Sequence, residues 1–445
     1  MPEIWPFKLT PARILVMGFA GVILLGALLL TLPVTTVDGE GLKFLDALFT
    51  ATSAVCVTGL VVVDTGTTFT VFGKVVIISL IQIGGLGFMT MATLFFILIG
   101  KRIGLKERML MQEALNQVSM EGIVRLTKYV LLATLIIEGI GALILTLTWL
   151  DDLGMPKALW YGLFHSISSF NNAGFDLFGE FRSLTGFVND PVVNLTVSSL
   201  IILGGIGFTV MADVYRKRSF RKFSLHTKVV LSITGLLLVF GTVMIFLLEQ
   251  NNPKTLGPLG LGGKILASYF QAVTPRTAGY NTLDMAGLTS ATLFLIVILM
   301  FIGASPGSTG GGIKTTTFGS LVAAVWAMIT GKPDVEIFQR RLHQDMIYKS
   351  LSITTIAGLL VIVVTMLLSI TEKADFLMVL FETVSAFGTV GLTMGLTPQL
   401  SALGKLLIIL TMFAGRLGPL TLAFSLAYKQ QKAVIKQPEE KIIVG

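Results

Sequence analysis

Four short segments of the chain share a spacing that could coordinate a cation with backbone oxygens. They read ALFTATSAVCVTGL (47–60), GLFHSISSFNNAGF (162–175), ASYFQAVTPRTAGY (267–280) and VLFETVSAFGTVGL (379–392). Each has an aromatic residue ten positions before a glycine, and these glycines are Gly59, Gly174, Gly279 and Gly391. Successive glycines are 115, 105 and 112 residues apart in a chain of 445. The spacing predicts a fourfold internal repeat.

Replacing the hydration shell of a cation is the chemistry that such a repeat suits. A bare cation in a low-dielectric interior is very costly, so a pathway must surround it with oxygens. Rings of backbone carbonyls do this when all of them face one axis, a geometry that glycine tolerates. Short helices that end before each glycine would point their negative ends at the same axis. A single copy would be better explained as a glycine that ends a helix, but four copies in register favour coordination.

The candidate filter residues are the last three of each loop, where only the glycine is common to all four. They are Val57, Thr58, Gly59, Asn172, Ala173, Gly174, Thr277, Ala278, Gly279, Thr389, Val390 and Gly391. The four glycines are the predicted centre of ion binding, and the variation around them predicts a filter with few strict carbonyl layers.

Composition shows which kind of scaffold must hold these loops. Apolar residues make up 53% of the chain and charged residues 13%, against about 25% in soluble proteins. The one cysteine, Cys56, excludes an internal disulfide. Soluble enzymes, disordered chains and disulfide-stapled secreted domains are therefore excluded. We predict an all-α polytopic membrane protein.

Long apolar runs give the number and direction of the crossings. Eight candidate spans cover about 13–33, 74–100, 124–150, 191–213, 226–249, 288–329, 345–370 and 402–427. With the N- and C-termini cytoplasmic, 22 of the 33 lysines and arginines lie on the inner side. The glycine segments then all lie on the outer side. The fold prediction is four parallel repeats of helix, re-entrant pore helix, filter loop and helix around one pseudo-fourfold pore.

Two cationic residues lie within apolar regions. Arg416 is in the last span, where it should face a cavity or a partner, although a helix-end arginine could also reach the interface. Lys314 follows a glycine-rich break in the sixth span, which contains Gly310, Gly311 and Gly312. Irregular backbone at membrane depth must line water or be packed in protein. We predict a gate that Lys314 holds through ionic or carbonyl contacts, rather than a simple kink.

Other polar residues give weaker signals. Two interpretations of Glu138 stay open: it pairs with a polar group of a neighbouring helix, or it helps to bind an ion. His165 and Glu382 are predicted to brace the filter. Asn171 and Asn172 suit an outer ion site and turn chemistry equally well. The histidines lack metal-ligand spacing, the loop before Lys314 misses the phosphate-binding pattern by one residue, and no motif supports nucleic-acid binding.

The glycine segments, with FIGASPGSTGGGIKTTT and MFAGRLGPLTLA, resemble the Trk/Ktr/HKT superfamily of cation transporters over essentially the whole chain. The length is most similar to the membrane subunits of bacterial Ktr potassium uptake systems. The resemblance implies that Gly59, Gly174, Gly279 and Gly391 form a K+ filter. Because plant relatives with serine at the first position prefer sodium, Gly59 implies potassium. It also implies that Arg416 lies just below the filter as an electrostatic barrier.

The resemblance further implies how the protein works. It implies channel-like, non-enzymatic K+ uptake across a bacterial plasma membrane by a homodimer, with no organic cofactor and with Na+ as a possible activator. A cytoplasmic nucleotide-binding ring of the KtrA type would control the gate. The alternative is a symporter that carries K+ with Na+ or H+ by alternating access. A membrane-embedded enzyme is less consistent with the sequence, because it contains no cluster of catalytic residues.

The predicted organisation divides the chain into five parts. Repeat 1 covers 1–105, and a cytoplasmic amphipathic linker helix, placed to contact membrane lipids or a partner, covers 106–122. Repeat 2 covers 123–222, and repeat 3 covers 223–335 with the gating loop at 303–317. Repeat 4 and a cytoplasmic tail cover 336–445.

Overall fold

The computed structural model describes residues 11–87 and 123–418, with three isolated positions between them. Within these ranges the fold is almost entirely helical, as predicted. The helices of ten or more residues are α1 (Pro11–Leu30), α2 (Phe44–Val55), α3 (Val71–Leu86), α4 (Ile123–Thr148), α5 (Met155–Phe170), α6 (Pro191–Gly205), α7 (Phe208–Lys217), α8 (Leu225–Glu249), α9 (Leu261–Val273), α10 (Ser290–Ile302), α11 (Thr315–Ile329), α12 (Gln344–Thr371), α13 (Phe376–Gly388) and α14 (Ala402–Leu417). The predicted linker helix at 106–122 lies outside the described residues.

Shorter elements connect these helices. Single helical turns occupy Thr65–Thr68 and Leu150–Leu153, and 3₁₀ turns occupy Pro33–Thr35, Thr185–Phe187, Phe220–Lys222, Met285–Gly287 and Thr397–Gln399. The strands β1 (Glu336–Ile337) and β2 (Arg340–Arg341) form an antiparallel hairpin in which Glu336 pairs with Arg341. Its two turn residues, Phe338 and Gln339, both have positive φ, as a tight two-residue hairpin turn requires.

Four of the described helices, α1, α4, α8 and α12, are long and apolar enough to cross a membrane. Each is followed by a short helix (α2, α5, α9 or α13) that ends within six residues of one of the four glycines. The predicted short helices are therefore present. Capping residues at the starts of the helices that follow fix where each one begins; examples are Asp190 before α6 and Thr289 before α10.

The helices pack in a cyclic order. The helix that follows each glycine packs against the short helix of the next group. The contacts run from α3 to α5, from α6 to α9, from α10 to α13, and from α14 back to α2. One apolar cluster contains both Ala47 of α2 and Met412 of α14, so the last contact is a buried one. The ends of the described chain are thus joined by core packing.

The helices that follow the glycines end beside residues with similar backbone dihedral angles. The sequence predicted the break in the sixth span but not where the other three helices end. The span predicted at 191–213 bends by 98° between α6 and α7. In the span predicted at 402–427, α14 ends at Leu417, and Gly418 has φ 84° and ψ 137°. Gly87 after α3, Gly207 before α7 and Lys314 before α11 have nearly the same dihedral angles. Hydropathy does not report such breaks, so eight crossings remain a prediction.

Close backbone packing at these helices gives a stability prediction. A Cβ atom built on Gly204 of α6 would overlap the carbonyl oxygen of Phe170 at the end of α5. We expect Gly204→Ala to destabilise the protein by about 1–3 kcal/mol, because neither backbone can yield without disturbing a helix. The matched control is Gly235→Ala in α8, where a Cβ would meet nothing within 4 Å. Thermal unfolding in detergent should show a lower midpoint for the first variant alone; equal midpoints would contradict the packing argument.

Candidate functional site

The structure brings the four predicted glycines into one closed ring. A Cβ built on each glycine would touch the Cα of the glycine in the next loop. These contacts run from Gly59 to Gly174 (3.3 Å), from Gly174 to Gly279 (3.0 Å), from Gly279 to Gly391 (3.2 Å) and from Gly391 back to Gly59 (3.0 Å). Each Cβ would also crowd the carbonyl oxygen of the residue before that next glycine, namely Ala173, Ala278, Val390 and Thr58 in turn. Any side chain here would therefore displace a neighbouring backbone.

The four glycine loops, defined as residues 57–59, 172–174, 277–279 and 389–391, share one backbone conformation. In each loop both the glycine and the residue two positions before it have positive φ. The φ values are 51° and 88° for Val57 and Gly59, 58° and 68° for Asn172 and Gly174, 75° and 81° for Thr277 and Gly279, and 49° and 95° for Thr389 and Gly391. Positive φ is uncommon outside glycine and is concentrated at functional sites. All the non-glycine residues of these loops are fully buried.

Hydrogen bonds to the short helices hold the loops in this conformation. The backbone N–H of Gly59 donates to Ser53 Oγ and that of Gly391 donates to Ser385 Oγ, both at 3.1 Å. Both serines lie six residues before their glycine. At the same register position in the second repeat, the hydroxyl of Ser168 donates to the carbonyl of Phe175 at 2.9 Å. The loops are thus tied to the helix ends that precede them.

The predicted braces, His165 and Glu382, both lie nine residues before their glycine and make contacts of the expected kind. His165 Nδ1 lies 2.8 Å from the carbonyl oxygen of Tyr161, while Nε2 accepts from the N–H of Leu177 at 3.3 Å. Glu382 accepts from the hydroxyls of Thr393, at 2.7 Å, and Thr397. Each side chain therefore links a short helix to the segment that follows its glycine loop.

The segment between α10 and α11, which we name the interhelical loop (303–314), packs against the glycine loops. A Cβ on Gly310 would meet the hydroxyl of Thr277, and one on Gly311 would meet that of Thr389. Thr309 donates through its hydroxyl to the carbonyl of Phe170 at 3.2 Å. In the second repeat only two residues separate α6 from α7, so this loop is an expansion of the common helix break.

Both predicted cations bind backbone carbonyls. Lys314 Nζ donates to the carbonyls of Gly310 and Gly311 within the interhelical loop. The guanidinium of Arg416 donates to the carbonyl of Thr309 in that loop, and also to those of Gly84 and Gly85 at the end of α3. Neither residue forms an ion pair with any described side chain. Arg416 lies in the last turn of α14, but its guanidinium points inward to the interhelical loop and α3. The alternative, in which this arginine reaches the membrane interface, is therefore wrong.

One side chain, Gln82, and a set of three glycines at the site were not identified from the sequence. Glu138 and Asn171 meet Gln82, which had no assigned role. Gly84, Gly204 and Gly415 each pack on the last or penultimate residue of a short helix, namely Val55, Phe170 and Phe387. The signal for these glycines was available in the strings GGLGFMTMA, GGIGFTVMA and GRLGPLTLA at 84, 204 and 415, which form a second internal repeat.

Comparison with known proteins agrees with this architecture. A family model described as TrkH, cation transport protein, matches residues 13–436. The chain is 50% identical over 438 residues to the Ktr system potassium uptake protein B of Bacillus subtilis (strain 168), covering 98% of this chain and 97% of that protein. It is 46% identical over 435 residues to the protein of the same name from Vibrio alginolyticus, covering 97% and 94%.

A solved structure shows the same fold. The crystal structure of the potassium transporter TrkH from Vibrio parahaemolyticus matches with a TM-score of 0.74 at 19% identity, covering 96% of this chain and 86% of that one. The resemblance inferred from the motifs is confirmed by the family match and by the identity to the two relatives. The chain therefore belongs to the TrkH family of cation transport proteins.

Proposed function

We propose that this integral membrane protein takes up potassium through a pore on the axis of the four glycine loops. The observation that carries the proposal is the closed ring, in which Gly59, Gly174, Gly279 and Gly391 contact one another in order. Four parallel repeats around a pseudo-fourfold axis are the arrangement that this cyclic order supports. The relatives that share about half of the sequence are named as potassium uptake proteins, which gives the ion.

Backbone carbonyls of the glycine loops coordinate K+ in this proposal. In a regular strand successive groups alternate sides. Here residues with positive φ alternate with others, as at Thr277 and Gly279, and this departure allows successive carbonyls to face one side. The filter comprises the three residues of each loop. Since α2, α5, α9 and α13 end beside the ring, their negative ends also favour a cation there.

The interhelical loop acts as the gate below this filter. Its contacts support this role, because Gly310 lies against Thr277 and Gly311 lies against Thr389 in two filter loops, while Gly312 packs on Gly303 at the start of the same loop. Lys314 closes the loop on itself by binding its carbonyls. Twelve residues with five glycines can change conformation more readily than the two-residue break in the second repeat.

Arg416 joins the gate to the wall of the pathway and supplies a positive charge there. Its hydrogen bonds reach from α14 to Thr309 in the gate and to Gly84 and Gly85 in α3. A guanidinium in a low-dielectric pathway repels a passing cation. We infer that it is an electrostatic barrier that is strongest when the gate is closed.

The relatives are named as proteins of a Ktr system, which supports a partnership with other components of such a system. We propose a homodimer, with cytoplasmic termini, that is controlled by a cytoplasmic nucleotide-binding ring of the KtrA type. We also propose sodium as an activator. A relative from Enterococcus hirae, 43% identical over 444 residues, is named a potassium/sodium uptake protein, which supports an involvement of sodium. No organic cofactor is needed, because a membrane potential of 100 mV contributes about 2.3 kcal/mol per monovalent cation.

Ion flux into proteoliposomes separates the channel-like mechanism from a symporter. We expect Rb+ uptake down its gradient with neither Na+ nor a proton gradient present, because coordination by the proposed filter couples no second ion to K+. A strict requirement for a second ion moving in the same direction would instead establish a symporter of K+ with Na+ or H+, which works by alternating access. Vesicles without protein provide the leak rate.

The filter assignment predicts an effect of Gly59→Ser on selectivity. The added side chain would strain a backbone with φ 88° and crowd the carbonyl of Ala173. We expect the ratio of K+ to Na+ uptake to fall about tenfold, as a loss on the order of 1.4 kcal/mol in ion discrimination would give. Gly21→Ser in α1, where a Cβ meets nothing within 4 Å, is the control. An unchanged ratio in a folded Gly59→Ser variant would overturn the assignment.

The gate assignment predicts an effect of removing residues 310–312. The shortened loop no longer contacts Thr277 and Thr389. We therefore expect basal Rb+ flux to rise while the ratio of K+ to Na+ uptake stays the same. Tracer uptake with the purified variant measures this, after size-exclusion chromatography has shown that it folds. Unaltered or abolished flux in a folded deletion variant would argue against a gating role.

A further inference from the structure

Glu138 is a buried acidic side chain that the proposed ion pathway does not use. It lies in the middle of α4 and is 5% exposed. None of the ion pairs among residues 11–87 and 123–418 includes it. Acidic residues at membrane depth are costly and tend to mark functional sites, so the contacts that retain this one are informative.

Three side chains from three different helices form a closed hydrogen-bonded triangle around this acid. Asn171 Nδ2 donates to Glu138 Oε1 at 2.9 Å and to Gln82 Oε1 at 2.8 Å. Gln82 Nε2 donates to Glu138 Oε2 at 3.2 Å. The triangle therefore joins α3 of the first repeat to α4 and α5 of the second. In addition, the hydroxyl of Ser166 donates to the backbone carbonyl of Glu138 at 2.6 Å.

The backbone carbonyl of Ile167 fixes which atoms the side chains of the triangle present to one another. Asn171 Nδ2 also lies 2.9 Å from the carbonyl oxygen of Ile167, which can only accept, so nitrogen must occupy this side of the Asn171 amide and its two hydrogens are shared among three acceptors. Gln82 must then present its oxygen to Asn171 and its nitrogen to Glu138. Both oxygens of residue 138 must consequently accept. A carboxylate has two acceptor oxygens and meets this need. A glutamine at position 138 would instead place its N–H₂ group against the N–H₂ group of Gln82.

The triangle lies against the second glycine loop. Asn171 is the C-cap of α5 and immediately precedes residues 172–174. Its Oδ1 lies where a Cβ on Gly85 would be, so it packs directly on the backbone of α3. Arg416 binds the carbonyls of Gly84 and Gly85 in that same turn. The orientation of Asn171 thus affects both the start of a filter loop and the last turn of α3, whose carbonyls accept hydrogen bonds from Arg416.

We propose that the Glu138–Gln82–Asn171 triangle is a specificity-determining element, in which Glu138 is the positioning residue for the second glycine loop. The proposal rests on the proposed function, because the loop must be part of the filter for its position to affect ion choice. Glu138 does not contact the transported ion; it acts through the amide of Asn171. Of residues 82 and 138, one must supply two acceptor oxygens. The other must supply one acceptor and one donor.

Exchanging the acid and the amide tests this requirement. Glu138→Gln leaves two N–H₂ groups facing each other, and Gln82→Glu leaves two carboxylates facing each other. We expect each single variant to lower the ratio of Rb+ to Na+ uptake about fivefold, as an unpaired buried group displaces Asn171. In the double variant Glu138→Gln with Gln82→Glu, the new amide at position 138 donates to the new carboxylate at position 82, and every bond is restored. We expect its ratio to return to within about twofold of the parent.

Two controls are matched to this test. One shows whether the loss of any buried acid lowers selectivity, and the other shows whether the filter assignment itself fails. Glu249→Gln removes a fully buried glutamate at the end of α8 that contacts Thr255 and Thr289, and should leave selectivity unchanged. Parent-like selectivity of Glu138→Gln while Gly59→Ser loses selectivity would overturn the triangle alone. Parent-like selectivity of Gly59→Ser would overturn the filter as well. If the single variants fail to fold, the exchange variant decides: an unselective or misfolded exchange variant rejects the proposal.

Discussion

Contact between the backbones of four loops is the constraint on which the rest of this structure depends. No side chain fits between Gly59, Gly174, Gly279 and Gly391, because each Cα faces the backbone of the next loop. A ring this tight can exist only if the chain reaches the same place four times in the same conformation. The short helices, the serine bonds at Ser53 and Ser385, and the cyclic packing of the helices all serve that requirement.

The region around the ring is held by polar contacts between repeats and not by apolar packing alone. Arg416 binds three carbonyls on two other helical groups, and Glu138 with Gln82 and Asn171 joins the first repeat to the second. The hydrogen bonds in these networks require their donors and acceptors at defined distances and directions. They therefore restrict the arrangement of the repeats more narrowly than interchangeable apolar contacts would. In the proposed function, the same contacts control ion selectivity and gating.

The interhelical loop illustrates how one repeat can be specialised without loss of the common scaffold. Lys314 has nearly the same dihedral angles as Gly87, Gly207 and Gly418, so the backbone takes the same form at these four positions. Ten additional residues in the third repeat, relative to the second, fill the space beneath two glycine loops. A positive φ at lysine is unfavourable, and the two carbonyls that Lys314 binds offset this cost.

The sequence by itself determined the helical membrane class, the four glycines that meet in a ring, and the presence of Arg416 and Lys314 within apolar segments. It did so because a fourfold spacing and a charge in an apolar run are strong local signals. The glycine-rich break in the sixth span was also predicted, but only the tertiary structure decided where α6 and α14 end, since the dihedral angles of Gly207 and Gly418 leave hydropathy unchanged. It alone decided that Arg416 binds carbonyls and that Glu138 meets Gln82 and Asn171. These partners are up to 332 residues apart, and their pairing depends on how helices pack, which no local pattern encodes.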